Sequence, residues 1–191
     1  WRCFATGPQR GRSSLQQMEQ LPPDTDALRF QTGRVATVAG GHAVHDTYVA
    51  FLPPLLPVFV ERMALSNTGA GILSAFVQLP SLLQAVIGHV ADRRTLRGAV
   101  IAAPAIAAGL MSMLGWAGSY AVIALLLAVV GLNSAVFHAV APPLVGRLAG
   151  SRLGRGMAFF MVGGELGRTL GPLIVASTLA LISLRGMAVL M

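Results

Sequence analysis

Between Arg97 and His138 the chain runs for forty residues, 98 to 137, without a formal charge or a histidine. A hydrocarbon core of about 30 Å takes about 20 helical residues per crossing, so a run of this length predicts two membrane helices. GWAGSY, at 115–120, supplies the break between them. The rest of the composition points the same way. Hydrophobic residues make up 54% of the chain and charged residues 11%, against roughly 25% charged in soluble domains.

Residues 1–33 are polar and interrupted by Pro22, Pro23, Asp24 and Asp26; they read as a disordered leader, and residues 34–191 as one membrane domain. The leader has no apolar core of the kind a secretory signal needs. The chain opens on Trp1, so either Met18 is the true start or the chain is a piece of a longer protein. A first span is expected over 35–60, with His42, His45 and Asp46 in its first half. Pro53, Pro54 and Pro57 fall in its second half, where they should kink the helix and leave carbonyls unpaired. A second span is expected over 70–91, carrying Gln78, Pro80 and Gln84, and a third over 98–115. The fourth is placed at 120–142, ended by Pro142 and Pro143, and the fifth at 156–182. The last residues, LRGMAVLM, read as the start of a sixth. The expected fold is therefore an all-α polytopic membrane bundle: five transmembrane helices and the beginning of another.

The net charge of +7 and a pI near 11.4 do not imply nucleic acid. All fourteen basic residues are arginine, and they sit between apolar runs instead of on one soluble face. Arg29, Arg34, Arg93, Arg94, Arg97, Arg147, Arg152 and Arg155 fall on one set of helix ends, with only Arg62 and Arg185 on the other. The excess of positive charge predicts a cytoplasmic N-terminus. Cys3, the single cysteine, allows no disulfide within the chain.

The costly residues are the ionisable ones at mid-membrane depth, which must face protein or a water-filled cavity. His42, His45 and Asp46 stand at i, i+3 and i+4 on one face; Ser134 and His138 form an i, i+4 pair; Glu165 and Arg168 are one turn apart. Counted at about 1.5 Å per residue, these groups and Asn133 reach a similar level on three helices. They predict a polar cavity between the first, fourth and fifth spans, where a carboxylate, an arginine and histidines could relay protons. Protonation of Asp46 or Glu165 would release Arg168 to another partner. The bland alternative is that Glu165 and Arg168 only neutralise each other.

A membrane metalloenzyme built on His42, His45 and His138 is a rival, because HAVHD has the look of a short histidine box. Four histidines in the whole chain are too few for a di-iron site, and His89 belongs at the membrane edge. No metal or cofactor is therefore assigned, and no enzyme activity. A channel lacks its ring of like charges or its filter. Gly164, Gly167 and Gly171 mark close packing by a neighbouring helix, and Pro172 marks a possible bend.

GHVADRRTLR, residues 88–97, resembles the loop motif between the second and third helices of major facilitator superfamily transporters. Gly88, Asp92, Arg93 and Arg97 match it, while Thr95 stands where the motif has a glycine. GELGRTLGPL resembles the glycine–proline motif in the fifth helix of drug antiporters of that superfamily. GHAVHDTYVAFLPPLLP and GLNSAVFHAVAPPLVGRLAGSRLGRGMAFFMVGGELGRTLGPL are similar to its fosmidomycin-resistance branch, over about residues 38–186. The resemblance implies two six-helix halves alternating access around a central site, each half made of inverted three-helix repeats. It implies a bacterial inner-membrane exporter of a small molecule or drug driven by protons, with Asp92 and its arginines at a cytoplasmic gate. It also implies that Asp46, His45, His138, Glu165 and Arg168 line the cavity. This chain would be less than one half of such a transporter. Its partners would be the lipid bilayer and its own missing C-terminal half, and alone it should not transport.

Overall fold

The computed structural model describes residues 29–190. Most of the expected leader, with Cys3 and Met18, lies outside the described residues. The helical chain begins within that leader's last residues, at Thr32.

The described residues form, in order, seven α-helices: α1 (Thr32–Val49), α2 (Leu52–Met63), α3 (Asn67–Gln78), α4 (Gln84–Arg93), α5 (Arg97–Met113), α6 (Tyr120–Ala149) and α7 (Leu153–Leu181). Short 3-10 turns occupy Leu79–Leu83, Leu114–Trp116, Gly150–Arg152 and Arg185–Leu190. Among the described residues there is no strand. Four helical stretches of the described residues are long and apolar enough to cross a membrane: Thr32–Met63, Asn67–Arg93, Arg97–Trp116 and Tyr120–Leu181. The fourth contains both α6 and α7, joined through Gly150, whose φ of 55° lies in the left-handed region that glycine adopts without strain.

The prolines divide these stretches in different ways. The first breaks at Ala50–Phe51, so that Pro53 falls in the first turn of α2, where a missing N–H costs nothing. Pro80 sits in the 3-10 turn that separates α3 from α4. Pro142 and Pro143 do not end the fourth span as expected: α6 runs through them to Ala149. Each proline frees only the carbonyl four residues before it. The buried neighbours Val140, Ala141 and Val145 hold that turn against the core. Residues Arg185–Leu190, expected to begin a sixth helix, form a 3-10 turn with Met187 buried.

Helix α1 packs along α7 over most of its length, and glycines permit it. A Cβ on Gly163 would lie 3.0 Å from the Ala39 carbonyl carbon, one on Gly167 2.8 Å from Thr47 N, and one on Gly171 2.8 Å from Ala50 Cβ. The spacing of four between the last two places both on one stripe, so the backbone of α1 lies in a groove where side chains would otherwise stand. Gly131 does the same between α6 and α3, since its Cβ would lie 2.6 Å from the Val77 carbonyl oxygen.

Two apolar clusters lie at opposite ends of α1. One gathers Val35, Val100, Phe137, Val145 and Phe160; the other gathers Phe51, Leu55, Phe59, Leu73, Met111 and Leu127. The stretch of α1 between them is His42 to Thr47, and His42, His45 and Asp46 in it are buried. A polar layer is thus clamped between two apolar ones.

Candidate functional site

The polar layer is built around Asp46, which is 4% exposed. Its Oδ1 accepts from His45 Nδ1 at 3.0 Å and lies 3.5 Å from His138 Nε2 on α6. Its Oδ2 lies 3.3 Å from His42 Nε2 and 3.5 Å from the Arg168 guanidinium on α7. Three helices therefore meet at one carboxylate. Arg168 also pairs with Glu165 on its own helix, through both its ε and η nitrogens, so it bridges two acids.

Backbone carbonyls fix the orientation of two imidazoles. His42 Nδ1 is 2.8 Å from the Phe160 carbonyl, and His138 Nδ1 is 2.9 Å from the Ser134 carbonyl. A carbonyl only accepts, so each Nδ1 carries the proton and donates. Gly164 makes the first of these bonds accessible: a Cβ there would lie 2.7 Å from His42 Nε2. Aromatic faces complete the positioning, with His42 stacked on Phe160 at 4.0 Å and His45 on Phe137 at 4.6 Å. His45 is fully buried, and its Nε2 has no hydrogen-bond partner among the described residues.

The i, i+3, i+4 face of α1, the Ser134–His138 pair and the Glu165–Arg168 pair thus come together as one network. Asn133 does not join it. Its amide donates to the Ala103 carbonyl on α5 at 3.0 Å, which ties α6 to α5.

Asp46, Ser134, His138 and Arg168 open onto a cavity of about 520 Å³. Val49, Pro53 and Pro172 line it, and so do Val77, Gln78, Ser81 and Gln84 of the second membrane stretch. That wall is absent from the cavity expected between the first, fourth and fifth spans. The signal was present as Gln78, Ser81 and Gln84 at steps of three. Ser81 lies in the 3-10 turn, whose three residues per turn bring it to the face of Gln78 at the end of α3 and Gln84 at the start of α4.

The loop motif lies elsewhere. Gly88 and Asp92 are on α4, Arg93 ends it, and Arg97 opens α5. Asp92 and these arginines line a small recess with Arg147 of α6, and Asp92 makes no ion pair among the described residues.

The sequence model of the major facilitator superfamily matches residues 38–191. This chain belongs to the major facilitator superfamily. Among curated relatives of this facilitator chain, the fosmidomycin resistance protein of Escherichia coli is 27% identical over 157 residues, covering 82% of the chain and 39% of that protein. An uncharacterized MFS-type transporter of Bacillus subtilis, YfnC, is 30% identical over 138 residues, covering 71% of the chain and 33% of that protein. The resemblance to the fosmidomycin-resistance branch is thereby supported. The facilitator chain spans about two fifths or less of the length of these relatives. None of the solved structures matches it. Membership together with the apolar helices marks it as a multi-pass membrane chain.

Proposed function

We propose that this chain is the N-terminal part of a proton-coupled exporter of a small molecule in a bacterial inner membrane. In this reading residues 1–33 are a leader and residues 34–191 an incomplete six-helix half, with five spans and the start of a sixth. Helices α6 and α7 count as separate crossings, and the N-terminus is cytoplasmic, as the arginine distribution favours. The rest of the transporter supplies the opposite wall of the cavity.

The observation that carries the proposal is Arg168 held between Asp46 and Glu165 at the edge of a cavity of about 520 Å³. An arginine at mid-membrane costs about 2.5–3.5 kcal/mol on insertion scales, so it persists where it is paired or serves a pathway. Its two acids differ in access: the Asp46 side chain is 6% exposed and that of Glu165 64%. Glu165 is the acid that protons reach first. When it takes one, Arg168 loses that partner and turns fully to Asp46; when it gives one up, Arg168 is shared again. Proton arrival and the charge seen by a substrate are then two faces of one change in pairing. The name of the Escherichia coli relative makes fosmidomycin the first substrate to try.

In vesicles holding the full-length protein, Glu165→Gln and Arg168→Ala should each lower gradient-driven fosmidomycin efflux at least about tenfold, about 1.4 kcal/mol or more. Membrane insertion should be unchanged. Undiminished gradient-driven efflux in both variants would overturn the assignment.

A further inference from the structure

His42 and His138 present a problem that hydrogen bonding within the protein does not solve. Both spend their Nδ1 protons on carbonyls, so in the neutral rings both Nε2 atoms carry lone pairs, and these face each other at 3.2 Å. Asp46 adds a carboxylate at 3.3 Å from one and 3.5 Å from the other. Three electron-rich groups from two helices converge on one point, which calls for an electrophile.

We propose that His42, Asp46 and His138 bind an exchangeable divalent transition-metal ion of the Zn²⁺ type. One ligand atom from each lies within 4.8 Å of the others. Ligands held at about 2.0–2.2 Å around a tetrahedral ion stand roughly 3.3–3.5 Å apart; the two Nε2 atoms are 3.2 Å apart, and each lies 3.3 or 3.5 Å from a different oxygen of Asp46, so a small turn of the carboxylate brings one oxygen to both. Metal-binding histidines characteristically donate the other ring N–H to a backbone carbonyl, as both do here, and a ligating carboxylate is itself hydrogen-bonded, as Asp46 is by His45. Two imidazoles and one carboxylate suit zinc and its neighbours better than magnesium or calcium. Asp46 and His138 open onto the cavity, so the fourth position of the ion faces space that a water or a chelating substrate fills.

The charges around the site make the ion exchangeable. Facing Asp46 are His42 and His45 of its own helix, His138 of α6 and Arg168 of α7, with Glu165 beyond Arg168. Arg168 and a dication are alternative counter-charges for Asp46. While Glu165 holds Arg168 the ion stays; when Glu165 is neutral, Arg168 turns to Asp46 and displaces it. Binding itself is independent of export, whereas release by this route rests on the proton-coupled reading above.

The test uses the full-length protein in detergent, stripped with a chelator and titrated with Co²⁺, whose tetrahedral complexes absorb in the visible. One equivalent should bind with that absorption. His138→Gln should abolish the absorption, and His89→Gln, which removes an exposed histidine on α4, should keep it. Glu165→Gln changes an exposed side chain and should weaken Co²⁺ binding at least about fivefold, the lower end of ordinary site-to-site coupling. No cobalt absorption in the unaltered protein, or the same absorption in His138→Gln, would overturn the metal site; a proton shared by the two imidazoles would then explain their contact. An unchanged affinity in Glu165→Gln would overturn the competition with Arg168. Loss of the metal site with export intact leaves the exporter reading standing, and metal binding without export does the reverse.

Discussion

The position of His42 depends on an atom that Gly164 lacks. Its ring lies against α7, stacked on Phe160 with Nδ1 donating to the Phe160 carbonyl, only because no Cβ projects there. In Gly164→Ala the methyl would meet a ring whose other side is occupied by Phe137 and His138. We expect this change to cost about 1–3 kcal/mol, the usual penalty for overpacking. Thermal unfolding of the full-length protein in detergent measures it; an unchanged midpoint would show that the ring is free to move. At this scale much was legible. The spacing of His42, His45 and Asp46, of Ser134 and His138, and of Glu165 and Arg168 placed each set on one helix face. Which nitrogen carries a proton was not legible, because that depends on carbonyls contributed by other turns. Asn133 shared the depth of the cluster but points to α5, since depth alone does not give azimuth.

Helices α1 and α7 are held together by the backbone of one lying in the glycine groove of the other. Gly167→Val should separate them, because a Cβ there lies 2.8 Å from Thr47 N and the backbone cannot yield as a side-chain tip does. The expected result is a loss of about 1–3 kcal/mol and of the Asp46–Arg168 contact that depends on this crossing. Gly40→Ala on the same pair of helices is the contrast: a Cβ there meets nothing within 4 Å. It should leave stability unchanged or raise it by about 0.4–1 kcal/mol. Unfolding midpoints of the two variants check both expectations, and equal destabilisation would contradict the groove. The glycine spacing gave notice of close packing, but not of the partner, which is α1. Prolines were less informative still. Pro53 and Pro54 begin a helix, Pro80 lies in a 3-10 turn, and Pro142, Pro143 and Pro172 lie inside continuous helices. In a membrane span, neighbouring helices can make up for the lost backbone bonds, so a proline alone does not define an end.

At the scale of the molecule, the apolar runs and arginine-bearing turns revealed a membrane bundle, and the loop and glycine motifs pointed to the family to which it belongs. The second stretch as a wall of the cavity was hidden, because its polar residues share a face only after the helix changes pitch at Leu79–Leu83. Under the proposed function the described residues supply one side of a transport pathway, with Arg168 at its edge. In the proposed function this cavity is a proton-linked passage and not a sealed polar core. Cysteine labelling tests it most directly. Ser134→Cys, in the full-length protein with its other cysteines replaced, puts a thiol on the cavity wall. A proton-linked passage lets this thiol react with a membrane-impermeant reagent from the cytoplasmic face, at a rate that shifts severalfold when an inward proton gradient is imposed. No reaction from either face, or one rate indifferent to the gradient, would contradict it.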